Sequence, residues 1–569
     1  METSKRKQYE LLRAELESER SSFISHWRDL GDYILPRKPR FTVSDVNKGD
    51  RRNQKIIDST ATLAVRTLRA GMMSGVTSPA RPWFKLDAAR PGLGEVPGVK
   101  EWLDIVTRDM TNIFLKSNLY NVLPNLYGGM GVFGTAAMAV EEDFDSAVRF
   151  YEFPIGSFSI SNDATGRVDC FIRELRYTVR QLVEKFGQLD ENGKVTDWSN
   201  FSSSVRTLWE SGNMEAWQDV IHVVKKNAYY DPKKLEAKFK RYSSCYYEKS
   251  TSEDVFLKES GFDSFRVLCP RWEKGAEDVY GNDCPGMTCL SDVKALQVMH
   301  KRKAQAIEKM VNPPMMGPSS LRSVATSILP GDITYVDELE TMKGFRPVHE
   351  VNFQIQPLLM DIQAHQDRIN RAFYVDLFLM LSQSDRREIT AREIEERHEE
   401  KLLALGPVLE QINQDLLDPL IDITFEIMLK QGRIPEPPEE LHGEELKVEY
   451  VSIMSQAQKL VGLAGVERFS SFASQVASVN PEALDKIDTD QLLDIYGDMT
   501  SIPAGIVRSD EDVAAIRAKR YEQQQAAQKA EMFKQGAQSA KELSGANLEG
   551  DNALTRMIDQ ANAGQLVNI

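Results

Sequence analysis

Over Lys5 to Leu35 apolar residues recur at three- to four-residue steps, at Leu12, Leu16, Phe23, Trp27, Leu30 and Ile34, once a polar turn near Ser21 is allowed. The spacing predicts an amphipathic helix that Pro36 ends. "RKPRF" then opens a polar loop through Arg52, and a second helix is predicted over Asp58 to Ser74. The stretch that follows, "SGVTSPARPWFKL", is punctuated by Gly and Pro. From Ala137 to Tyr177 the period shortens. "AMAVEED", "AVRFYEFP", "FSISND" and "DCFIRELRYT" predict strands of a mixed or antiparallel sheet, and "DVIHVV", "YSSCYYE" and "FRVLCPRW" extend it.

Beyond Pro285 long helices take over. Val293, Leu296, His300, Ala304, Ile307 and Val311 form one stripe, with Lys294, Lys301, Arg302 and Lys303 on the opposite flank, until Asn312-Pro313-Pro314 stops the helix. A second helix is predicted over Gln356 to Leu379, striped by Leu358, Ile362, Ile369, Phe373 and Leu377. Each is about 33 Å long at roughly 1.5 Å rise per residue. Between them lies a Pro/Gly/Ser-rich insert with short strand-like pieces, and after them a polar break, "SQSDRREIT". A helical region over Ala391 to Gln431 holds Pro407 and Pro419, which predicts a kink or two abutting helices. "RIPEPPEELHGEE" reads as a linker and the remainder as helical, with Pro481 at a first turn and Ser509 and Asp512 as a capping box. From Tyr521 the chain is Gln/Ala-rich, a solvated helix or a mobile tail. The fold class is α+β, predominantly helical, with no internal repeat.

Composition sets the outer bounds. A chain of 569 residues exceeds one compact core and predicts roughly three to four lobes. With 41% hydrophobic and 27% charged residues it is globular, and no apolar run approaches the roughly 20 residues of a membrane span. "METSKRKQYELLRAELESER" carries no apolar signal core, and five cysteines suit a reducing compartment, the cytoplasm. The formal net charge of −15 argues against coating DNA by bulk attraction, although local basic patches remain able to handle it. The most basic neighbourhood is Arg37, Lys38, Arg40, Lys48, Arg51, Arg52 and Lys55, read as a solvated loop.

Candidate chemistry is thin. "GGMGVFG" has glycines at dinucleotide-loop spacing, but Asn121, Pro124 and Asn125 replace the buried strand such a loop needs, so close packing is expected instead. No Gly-Lys-Ser/Thr frame supports a P-loop. His398-Glu399-Glu400 lacks a second histidine, since position 402 is Leu402, and Cys284 and Cys289 lack a second pair for zinc. Glu141, Glu142, Asp143 and Asp145 could hold magnesium as a metal-dependent DNA-processing enzyme requires, but read more simply as a solvated turn. No metal, cofactor or catalytic residue is expected.

Several stretches together resemble the portal proteins, or head-to-tail connectors, of short-tailed double-stranded DNA bacteriophages. They are "IIDSTATLAVRTLRAGMMSGVTSPARPWFKL", "YGGMGVFGTAAM", the long helix pair around a Pro-rich insert, and "IPAGIVRSDEDVAAIRAKR". The resemblance implies a ring, expected as a dodecamer, at one capsid vertex, whose channel passes the genome during packaging, retention and ejection. It implies a wing over 1–285, a first stem helix over 286–311, a clip over 312–355 and a second stem helix over 356–379. A tunnel loop over 380–390, a long kinked helix over 391–431, a helical crown over 441–520 and a tail over 521–569 complete the plan. Implied partners are further copies of the chain, double-stranded DNA, terminase, a tail adaptor, and the major capsid and scaffolding proteins, with no membrane. The location implied is the virion, after assembly in the host cytoplasm.

In a ring, an acidic subunit gives a negative wall that repels phosphate, and sparse cationic rings would centre or grip DNA. Arg386 and Arg387 are the tunnel-loop candidates. Lys294, Lys301, Arg302 and Lys303 are candidates for channel-facing or intersubunit contacts on the stem. Two alternatives stand beside the conduit: the metal-dependent enzyme built on the cluster near Glu141, and a helical scaffold without DNA contact.

Overall fold

A computed structural model describes residues 4–42, 44–45, 49, 51–90, 92–190, 195–251, 253–313, 315–316, 346–347, 355–383, 405–452, 469–476, 488–492, 510–544 and 556. They fall into two units, Met1–Gly462 and Leu463–Ile569.

In the first unit α1 (Lys5–Tyr33) is continuous. The polar turn allowed for near Ser21 is absorbed, because Ser21 and Ser22 donate their hydroxyls to the carbonyls of Ser18 and Glu19, 2.6 and 2.9 Å away. Its lower half is pinned by Trp27, which is fully buried and donates Nε1–H to the Phe133 carbonyl at 3.1 Å. α2 (Thr60–Gly75) follows, then β1 (Phe84–Ala88), α3 (Pro97–Lys116) and α4 (Leu119–Phe133). The glycine cluster belongs to α4 and its cap, not to a strand–helix turn. Gly131 lets α2 approach, since a Cβ there would overlap Leu68, and Gly134 ends the helix at φ 77.

The strand region is antiparallel throughout, but burial does not strictly alternate: residues 137–140 and 158–160 are each buried without a break. β2 (Ala137–Asp143) and β3 (Ala147–Phe153) form a hairpin. β4 (Phe158–Asn162), β5 (Val168–Thr178), α5 (Val179–Phe186), the short pair β6 (Gln188–Leu189) and β7 (Val195–Asp197), and α6 (Ser203–Glu210) come next. β8 (Trp217–Lys226), β9 (Tyr242–Glu248), β10 (Lys258–Phe262) and β11 (Val267–Leu268) complete two sheets, ordered β10-β9-β8-β5-β4 and β11-β2-β3. α5 starts with a reciprocal cap between Thr178 and Gln181.

α7 (Pro285–Val311) matches the first long helix, and β12 (Met315–Met316) pairs antiparallel with β13 (Arg346–Pro347) inside the insert. The second long helix departs from expectation. In place of one helix over 356–379 there are two, α8 (Ile355–Ala372) and α9 (Val375–Gln383). Tyr374 at the joint sits at φ 55, a conformation a large L-residue adopts only when its surroundings impose it. The constraint is tertiary: the Phe378 ring lies where a Cβ on Gly71 would be, so α9 is held against α2.

Helix over 405–412 runs into a π-helical turn, Asn413–Leu417, and then α10 (Asp418–Lys430). This is the predicted irregularity, and its cause is Pro419, which has no N–H to return to the preceding turn. Directly after the linker the chain forms a strand where helix was expected, although 469–476 and 510–544 are helical. β14 (Leu446–Tyr450) pairs antiparallel with β1, Phe84 opposite Tyr450 and Ala88 opposite Leu446, so this segment joins the first unit's core. The main core gathers α2, α4, the β2–β3 hairpin and the inner faces of α7 to α10, while two smaller clusters lie on either side of the five-stranded sheet. In the second unit α11 (Asp510–Ser544) runs through the expected crown–tail boundary at 520, and its described side chains from 521 on are exposed, which is the solvated-helix alternative. Arg517 forks onto Asp490 at 2.6 and 2.8 Å.

Candidate functional site

α7 and α8 are tied at their base by one residue of the Asp-Ser-Thr-Ala stretch. Gln297 of α7 accepts from the backbone N–H groups of Ile57 and Asp58 at 2.6 and 2.7 Å and returns its amide to the Asp58 carbonyl at 3.0 Å. The Asp58 carboxylate accepts from Thr60 N–H at 2.9 Å, at the start of α2, and from Gln366 of α8 at 3.2 Å. His300 Nε2 lies 3.4 Å from the same carboxylate. One turn away, Asp292 of α7 stands 2.7 Å from His365 Nδ1 and accepts from Arg368 Nε at 3.0 Å. Three helices therefore meet through a shared set of polar groups around Asp58. Sequence reading marked the Asp58 stretch as a motif but missed this role. The signal available was an acid one residue before an Ser-Thr helix start.

A second anchorage fixes the kinked segment. Arg271 is fully buried and directs two hydrogen bonds at Asp415 in the π turn, both 2.9 Å. Its remaining donors reach Asn162 Oδ1 at 3.0 Å and the carbonyls of Val279 and Gly166 at 3.3 and 3.1 Å.

The cationic candidates separate. Lys294 pairs with Asp29 of α1 at 2.6 Å and stands 5.5 Å above the Tyr33 ring. Lys301 and Arg302 are exposed and Lys303 is half-buried, and no described residue forms an ion pair with them. Arg386 and Arg387 lie outside the described residues, as does most of the insert. In the basic neighbourhood ahead of α2, Lys38 pairs with Glu152, Arg52 with Asp45, and Lys55 with Asp32 at 2.7 Å. Those three are paired rather than simply solvated.

The acidic cluster is the tip of the β2–β3 hairpin. Asp143 accepts from the Ser146 hydroxyl and N–H at 2.7 and 3.1 Å, which holds its carboxyl below the usual range. Glu142 pairs with Arg266 at 2.9 Å, and Glu141 sits across from Arg149 in the register. Strand alternation puts Glu142 on the face opposite Glu141 and Asp143, so these carboxylates do not converge. Among the described residues no group of three or more His, Cys, Asp or Glu could hold a metal. All five cysteines are buried free thiols, and burial pushes Cys284 and Cys289 each up to about 12, far from a reactive thiolate. No helix among the described residues is long and apolar enough to cross a membrane.

The family model of bacteriophage head to tail connecting proteins matches residues 6–507. The chain is 47% identical over 552 residues to the portal protein of Salmonella phage epsilon15, covering 97% of this chain and 98% of the relative. It is 43% identical over 541 residues to the probable portal protein of Bordetella phage BPP-1, covering 95% and 96%.

Proposed function

Because the chain belongs to the bacteriophage head-to-tail connecting protein family, we infer that it is a portal protein, a structural connector at the capsid vertex through which the genome is packaged and ejected. The observation that carries this is identity sustained over nearly the full length of two relatives named as portals. It does not act as an enzyme, and the hairpin-tip carboxylates are structural.

The finer reading is a closed ring, a dodecamer, assembled in the host cytoplasm. In it α7 and the segment 356–379, α8 with the start of α9, are the stem, the insert over 312–355 is the clip, and the first 285 residues form most of the wing. The tunnel loop is drawn over 380–390, with α9 continuing to Gln383, 391–431 is the helix returning to the wing, and 441–520 the crown, although β14 argues for drawing the crown boundary after Tyr450. Terminase and then a tail adaptor dock on the clip, while capsid and scaffolding proteins contact the wing. Arg386 and Arg387 supply the tunnel's cationic ring. On the stem, Lys301, Arg302 and Lys303 are available for DNA or a neighbouring subunit, whereas Lys294 is already engaged by Asp29.

The test is complementation: a phage lacking its portal gene, supplied with this chain, should package DNA to full heads. Empty heads with normal shells would contradict the proposal.

A further inference from the structure

One cationic cluster remains outside the stem and tunnel. Arg66 and Arg69 stand one turn apart on α2, which puts their side chains on one flank of the helix. The Arg69 side chain lies across Gly128 of α4, where a Cβ would overlap its Cγ, Cδ and Nε. Only glycine leaves that track open, so the guanidinium is fixed by packing rather than free to roam. Its Nε is buried and has no hydrogen-bond partner. Lys38, from the loop after α1, reaches the same place and takes the Glu152 carboxylate for itself.

We propose that Lys38, Arg66 and Arg69 form an anion site that takes a phosphate of the double-stranded DNA backbone. Lys38 and Arg69 share one carboxylate, Glu152, which pairs with Lys38, while Arg66 is exposed beside Arg69; the cations outnumber the acid, and an anion reaching the open side of the cluster balances them. Burial lowers the affinity of Lys38 and Arg69 for their protons, with the neighbouring cation adding to the effect in each case, so the cluster gains from a counter-charge. A phosphodiester suits it better than a further carboxylate. Its two non-bridging oxygens splay from a tetrahedral phosphorus and can be approached by cations from several directions, whereas the carboxylate already present pairs with only one of the three. The site itself does not depend on the connector reading; that reading supplies only the source of the phosphate.

The experiment uses the full-length protein and a fluorescent 30-base-pair duplex, with anisotropy followed from 50 to 300 mM KCl. Arg66→Ala with Arg69→Ala should weaken binding by about tenfold or more near 0.1 M salt and flatten the slope of log affinity against log salt by about 0.9, for one lost phosphate contact. Gly128→Ala keeps every charge but displaces Arg69, and should weaken binding by several-fold with an unchanged far-UV spectrum. Unaltered affinity and slope in both variants overturns the proposal. A raised Tm with inorganic phosphate, lost in the double variant, but unaltered DNA affinity would assign the site to a free anion and also overturn it. Loss of self-association in the double variant, with DNA affinity per subunit preserved, would give the site to a neighbouring subunit's carboxylate, again against the proposal. Failure to form rings by a variant and wild type alike would count against the connector reading while leaving the phosphate result to stand or fall by itself.

Discussion

Arg271 holds Asp415 through two parallel hydrogen bonds, Nε to Oδ2 and Nη2 to Oδ1, each 2.9 Å, with the guanidinium wholly removed from solvent. The pair joins the segment after β11 to the π turn across 144 positions of sequence. It anchors the π turn of that helix to the segment after β11. Asp415→Ala leaves a buried guanidinium without its counter-charge and should lower the unfolding free energy by about 3–5 kcal/mol. Urea denaturation checks this, read from the midpoint at constant slope. Arg271→Met combined with Asp415→Leu should recover most of the loss, because an apolar pair carries no unpaired charge.

Gly131 is a point of close approach of α4 to α2. Gly131→Ala places a methyl group into Leu68, and overpacking of this kind costs about 1–3 kcal/mol. Leu68→Ala in the same chain should relieve part of the strain, so the two changes together should cost less than their sum. A double-mutant cycle by thermal denaturation measures it.

His222 is buried and stacks on Tyr246 with ring centroids 3.8 Å apart. Arg173 donates to its Nδ1 at 3.2 Å, and the Ser244 hydroxyl lies 3.0 Å from Nε2. Burial first, then the charges of Arg173 and Lys185, pushes its pKa well below 6.5. A folded state that refuses the proton is destabilised once the unfolded histidine takes it. Stability should therefore be full above 6.5 and fall as pH drops below it, by up to about 1.4 kcal/mol per pH unit for this one group. His222→Gln should flatten that limb in melts recorded from pH 7.5 to 5.0. An unchanged limb would show that the histidine is not the group responsible.

Much of the scaffold was legible because its signals are local. α1, α2 and α7 follow from apolar spacing and proline or cap punctuation, and β2 to β5 follow from short apolar runs bounded by turn residues. What stayed hidden depends on residues far apart in the chain. Nothing near "RAFYVDLF" announces a break at Tyr374; the reason is a ring on α9 meeting Gly71 on α2. β1 and β14 are each too short to declare themselves and exist as strands only because they find one another. The candidate site divided the same way. The cationic flank of α7 could be read from spacing, but that Asp29 claims Lys294 could not, since it depends on how α1 packs.

For Arg386 and Arg387, proposed to lie in a tunnel loop, Arg386→Ala with Arg387→Ala should leave ring assembly intact and reduce the packaged DNA per head or its retention. Quantifying DNA in purified heads reads this directly. Normal filling and retention would remove these two residues from the channel's grip, leaving Lys301, Arg302 and Lys303 to be tested in the same way.

The central claim is that this chain builds a connector, and imaging the purified protein by negative-stain electron microscopy tests it most directly. The account predicts closed rings of uniform subunit number around a central channel, present at micromolar concentration across a range of salt. Monomers, dimers or open filaments under all those conditions would contradict it.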